Sequence, residues 1–328
     1  MDPNEKSTEK SATGPSLTDV LEGHFPLTAN RAIFEEIAKI RQRPMLGLVL
    51  APHVLLDRQC IDPLVGVLRT LRGGDAFDLF LDGQAAATPE AWRVVSAIRE
   101  HFERLTAIVP FAASPGATVL ALGADELLMT DVASLSPLEP WNLSPELQRL
   151  RGELRALTFN AREVAIQRID PRDYGAVERA YASQATLVRR VVETHWPAAV
   201  AGNPEKIDSL IGQLCEGDLL PSFPFTRRDC AQRLGLDVIK PDGALQDAIW
   251  RLHDYYRGMF DIEGDWVWND RHFSISYDGF IDSLDERRVL VRIHRLDERG
   301  RRIGEGPVLT RWVRPGGQEV VIDREVTL

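Results

Sequence analysis

Apolar positions recur along this chain in two alternating rhythms. Continuous apolar runs, "PMLGLVLA" at 44–51, "FDLFLD" at 77–82 and "TAIVPF" at 106–111, read as strands buried on both faces. Ahead of the first, "NRAIFEEIAKIRQR" carries Ile33, Phe34, Ile37 and Ile40 on one helical face. "DRQCIDPLVGVLRTLRGG" reads as a helix closed by two glycines. "TPEAWRVVSAIREHFERL" reads as the next, with Thr88 as N-cap and Pro89 at its first position. The stretch from Pro115 to Ala124 is a further helix, leading into a short strand, "DELLMT". Strand–helix alternation at this spacing predicts an α/β fold, a parallel sheet reached by crossover helices.

From about 142 to 235 the apolar period is helical, with amphipathic segments over 143–168 and 172–197. After Lys240-Pro241-Asp242-Gly243 one more helix precedes β-forming runs separated by Asp-Gly, Arg-Gly and Pro-Gly-Gly turns. The expected organisation is therefore a disordered arm over 1–24, an α/β domain over 25–240, and a helix plus a small β-rich domain over 241–328.

Composition narrows the function. With 44% hydrophobic and 27% charged residues in 328, the chain reads as a soluble globular protein with an ample core. A formal net charge of −10 argues against a general nucleic-acid binder. Cys60, Cys215 and Cys230 form no CxxC pair and read as buried thiols in a reducing compartment. None of the seven histidines lies at metal-ligand spacing from another, so neither a metal nor a cofactor is expected. The N-terminus has no apolar signal region, and Pro110, Pro115 and Gly116 interrupt the uncharged stretch 106–124. The expectation is a cytoplasmic protein without a membrane span.

The chemistry-bearing stretch is "PFAASPGATVLALGADELLM", 110–129, a strand that meets Ser-Pro-Gly and continues as an apolar helix. Ser114 is the candidate nucleophile, but a serine before proline at a helix start is first of all what an N-cap looks like. Asp125 and Glu139 form a conceivable acid/base pair, while Asp125 also suits a cap between helix and strand. His53 follows the first strand's C-terminal end, where ligands of α/β sheets bind, and also fits a surface loop. Trp266 and Trp268 alternate along a strand, as anchors of a core or of a subunit contact.

The assembly "FDLFLD", "ERLTAIVPF", "TVLALGADELLM" and "LSPLEP", with the later "LCEGDLLPSFPFTRRDCAQRLGLDVI", resembles the serine dehydrogenase proteinase family. The resemblance covers roughly residues 30 to 240. It implies the Clp protease–crotonase fold, related to signal peptide peptidase A, with a helical arm that packs between subunits of a homo-oligomer. The family's Pro-Gly-Gly turn falls on Gln84, Ala85 and Ala86, which lack the freedom that lets glycine N–H groups approach an oxyanion. Ungapped alignment puts the family's serine on Pro115; a one-residue bulge restores Ser114 but leaves Pro115 next, without an N–H to donate. The strand after the helix supplies no histidine. Lys206 and Lys240 are the only lysines beyond Ser114 and look exposed, and the closing segment's His-Asp positions read Pro221 and Ser222. The implied function is a catalytically inactive serine-protease-like protein that acts in assembly or in binding a protein partner. The alternatives are an active serine hydrolase using Ser114 and a crotonase-like acyl-binding protein.

Overall fold

A computed structural model describes residues 14–24, 28–54, 58–71, 75–83, 88–140, 143–195, 203–216, 223–268, 270–304 and 306–315. Two helices, α1 (Leu17–His24) and α2 (Arg31–Arg41), lead into strand β1 (Met45–Leu50). Then follow α3 (Ile61–Leu68), β2 (Ala76–Asp82), α4 (Thr88–Arg99), β3 (Arg104–Val109), the short β4 (Ala112–Ala113), α5 (Pro115–Leu122), β5 (Glu126–Met129) and β6 (Ser134–Leu135). The helical arm is α6 (Pro145–Ala156), α7 (Phe159–Ile166), α8 (Pro171–His195) and α9 (Pro204–Glu216). The chain closes through β7 (Phe225–Thr226), α10 (Arg227–Gln232), β8 (Val238–Ile239), α11 (Gly243–Phe260), β9 (Glu263–Trp268), β10 (Arg271–Asp282), β11 (Arg287–Arg295) and β12 (Leu309–Val313).

The main sheet runs β12-β11-β10-β1-β2-β3-β5-β8, with β9 on β10. Its β1-β2-β3-β5-β8 section is parallel, as the alternation predicts. Every residue of β1 is buried, because both faces of the section are covered. One face packs with α3, α4, α5 and the arm helices α8 and α9 in a core that includes Leu81, Val95, Val119 and Val191. The other packs with α2 and α11 through Phe34, Phe80, Ile249 and Tyr256.

Two expected boundaries differ from the structure. The strands after residue 240 extend the parallel sheet, since β10 runs antiparallel along β1 from Gly47↔Asp282 to Leu50↔Gly279. An uncovered β1 edge would leave a row of N–H and C=O groups unpaired beside an apolar face, so the C-terminal strands complete the sheet there. Within the expected arm over 1–24, Leu17–His24 is helical and buries Leu17 and Leu21 in the α2–α11 core. Residues 1–13 lie outside the described residues, as does "EVVIDREV". The amphipathic segment 143–168 is two helices, broken at Leu157 and Thr158, where the backbone is extended.

A buried polar cluster ties these parts together. Asp282 Oδ2 accepts from Asn30 Nδ2 (2.9 Å), Tyr256 Oη (3.0 Å) and Arg287 Nη2 (2.7 Å), drawn from α2's N-cap, α11 and β11. Among the described residues no helix is long and apolar enough to cross a membrane, and no group of acidic, histidine and cysteine side chains could hold a metal ion.

Candidate functional site

The candidate site forms where β2 and β4 end. Gly83 follows β2 with φ +120°, a conformation strained for any residue with a side chain. A Cβ built there would lie 2.1 Å from the Leu50 carbonyl oxygen, so this turn accepts only glycine. Gly83 bridges Ala113 in parallel: its N–H donates to Ala112 O, and its carbonyl accepts from Ser114 N–H, each at 3.3 Å. Behind the turn, Thr118 locks α5 to β4, its hydroxyl donating to Ala113 O at 2.7 Å and its N–H to Ser114 O at 3.0 Å.

Ser114 stands at the N-cap of α5 with extended backbone (φ −86°, ψ 171°) and Pro115 at the first helical position. Its side chain makes no capping hydrogen bond. The half-buried hydroxyl has no hydrogen-bond partner among the described residues, so it is neither a side-chain cap nor bonded to a base. Gln84, Ala85 and Ala86 lie outside the described residues, as do Pro221 and Ser222.

A histidine–aspartate pair lies one step before the turn. Asp82, the last residue of β2, holds His253 of α11 through Oδ2 and Nδ1 at 2.7 Å, both side chains buried. Trp250 meets the imidazole edge-on at 5.2 Å and Phe111, half exposed, lies over it at 5.8 Å. A carboxylate on Nδ1 orients the ring and leaves Nε2 as the second functional atom; that atom has no hydrogen-bond partner among the described residues. Because side chains alternate along paired strands, Asp82 and Ser114, flanking the Gly83↔Ala113 bridge, project to the same side of the ladder. Imidazole and hydroxyl are not hydrogen-bonded to each other.

His253 is not among the candidates that the sequence offers, which put a base on the strand after α5 or on a downstream lysine. The available signal was its place on the buried stripe of α11 with Leu245, Ile249, Leu252 and Tyr256. Lys206 and Lys240 are exposed, as expected.

The other singled-out residues do not converge on this site. Asp125 accepts from Arg99 Nη1 and from Leu105 N–H, both at 2.7 Å, and so holds the α5–β5 turn; Glu139 is not among its partners. Burial holds the Glu139 carboxyl above the ordinary range. His53, more than half exposed, meets Asp278 at 3.2 Å, and Arg292 reaches the same carboxylate at 3.1 Å. Trp266 is buried in the α2–α11 core and donates to Pro15 O at 3.0 Å, which is an anchoring role. All three cysteines are buried and outside any disulfide, and burial pushes the Cys230 thiol up to about 12.

No family model and no curated protein matches this sequence. Solved structures with partial similarity include a monofunctional enoyl CoA isomerase from M. smegmatis (16% identity; 66% of this chain and 83% of that one; TM-score 0.34). A membrane-bound stomatin-specific protease in complex with a substrate peptide is 10% identical over 62% of this chain and 74% of that one, with a TM-score of 0.36. The ClpP protease catalytic domain from Plasmodium falciparum is 11% identical over 63% of this chain and 90% of that one, at 0.35. At these scores the chemistry of this chain rests on its own residues.

Proposed function

We propose that this chain is a serine-hydrolase-like protein of the serine dehydrogenase proteinase type that has lost hydrolysis and serves as a binding or assembly component. The observation that carries the reading is the state of Ser114. Its hydroxyl has no base bonded to it, and the next residue, Pro115, has no N–H for an oxyanion. A nucleophilic serine needs both, because the barrier falls only when the proton and the developing charge are each accepted.

The Asp82–His253 pair favours a second reading, an active hydrolase in which His253 Nε2 takes the Ser114 proton. The two readings part on the reactivity of Ser114. An active-site-directed phosphonate forms an adduct at Ser114 in the second and none in the first.

The proposed partner includes a second copy of this chain. Helix α7 of the arm buries no residue, and its Phe159 and Val164 are 71% and 54% exposed, apolar surface that a second copy would cover. Light scattering at micromolar concentration is expected to give a mass of at least two chains; a clean monomer would remove the claim. Three buried cysteines outside any disulfide fit a reducing compartment, and we place the protein in the cytoplasm.

A further inference from the structure

Helix α8, the longest of the arm, ends at His195, and that end is fastened to α4 by two of its side chains. The His195 ring lies on Trp92, centroids 5.4 Å apart and planes at 38°, with the Arg190 guanidinium 5.3 Å from the centroid of the same indole. Arg99, 12% exposed, donates from Nη2 to the His195 carbonyl (3.5 Å) and to Gly123 O (2.9 Å). A cation therefore already occupies the end of α8 where positive charge is favoured. Gly123 caps α5 at the opposite end from Ser114, so this contact is independent of how that residue is read.

The contact depends on the charge of the ring. A neutral imidazole can carry its proton on Nδ1 and leave Nε2 a bare lone pair, whereas the imidazolium has an N–H on both. His195 Nε2 is buried without a hydrogen-bond partner among the described residues, so a second N–H would have no acceptor. The charged groups facing the ring are Arg99 from α4 and Asp125 from the turn after α5; α5 itself carries no titratable side chain. Asp125 is already taken by Arg99 Nη1 at 2.7 Å. Along α8 and from α9, Glu193 and Asp208 both pair with Arg189. Burial and Arg99 outweigh Asp125 and hold the imidazole below its ordinary value.

We propose that His195 is an acid-sensitive latch, whose neutral ring holds the end of α8 on α4 and whose protonation releases it. Because the folded chain has the lower value, the latch contributes fully above about pH 6.5 and weakens as the pH falls below it. Hydrogen–deuterium exchange of the full chain at about pH 7.5 and about pH 5.5, with labelling times scaled for intrinsic exchange, tests it. In the wild type, peptides from the last two turns of α8 are expected to lose protection at least about threefold at the lower pH, while β1 keeps its own. In His195→Gln, whose side chain takes up no proton, the same peptides are expected to be equally protected at both. The proposal is overturned if wild-type protection there does not change, if the Gln variant loses as much, or if β1 loses as much as α8. Exchange of the imidazole C2 hydrogen in the wild type titrates the ring without any variant. Its midpoint is expected to be lower in the folded chain than in urea; an equal or higher midpoint overturns the latch whatever the variant does.

Discussion

Replacing Arg287 by alanine is expected to lower the unfolding free energy by about 3–5 kcal/mol, among the largest effects of any single substitution. The Arg287 side chain is 2% exposed and that of Asp282 is wholly buried, so the change leaves a carboxylate in the interior without its cation. The donors that remain, Asn30 and Tyr256, are neutral and fall on the same oxygen, Oδ2. Because the cluster joins α2, α11, β10 and β11, its loss loosens both ends of the chain where they close on the sheet. The double variant Asp282→Asn with Arg287→Met removes both charges and is expected to be less destabilised than Arg287→Ala alone. Urea denaturation followed by circular dichroism measures all three chains at one protein concentration. A double variant no more stable than the single one would show that packing, not the unpaired charge, sets the cost.

Gly83→Ala is expected to cost about 3 kcal/mol or more. The native φ of +120° is strained for alanine, and its Cβ would fall 2.1 Å from a backbone oxygen that no rotamer change can move. The same residue fixes Ser114, whose N–H donates to the Gly83 carbonyl. A urea midpoint equal to the wild type's would mean that the turn has another conformation and that the register placing Asp82 and Ser114 on one side is wrong.

The parallel sheet was legible because its strands are buried on both faces and so appear as unbroken apolar runs bounded by helical periodicity. Leu79, Leu81, Val109, Leu120 and Leu122 are all buried as that pattern requires. The joining of the C-terminal strands to β1 was not legible. An antiparallel strand set reads the same whether it forms its own domain or completes a neighbouring edge, and the Gly47↔Asp282 register is a tertiary fact. The turn at Ser114 was legible down to Pro115 at the first helical position. His253 was not, since α11 brings it to Asp82 across 171 residues, and a histidine on an apolar helical stripe looks like core until its partner is known.

The measurement closest to the central claim is intact-mass analysis after exposure to a fluorophosphonate. With no base bonded to the Ser114 hydroxyl and Pro115 contributing no oxyanion N–H, the wild type is expected to gain no adduct beyond that of Ser114→Ala. A stoichiometric adduct that is lost in Ser114→Ala and in His253→Ala would contradict this account and make Ser114, His253 and Asp82 the working groups of a serine hydrolase.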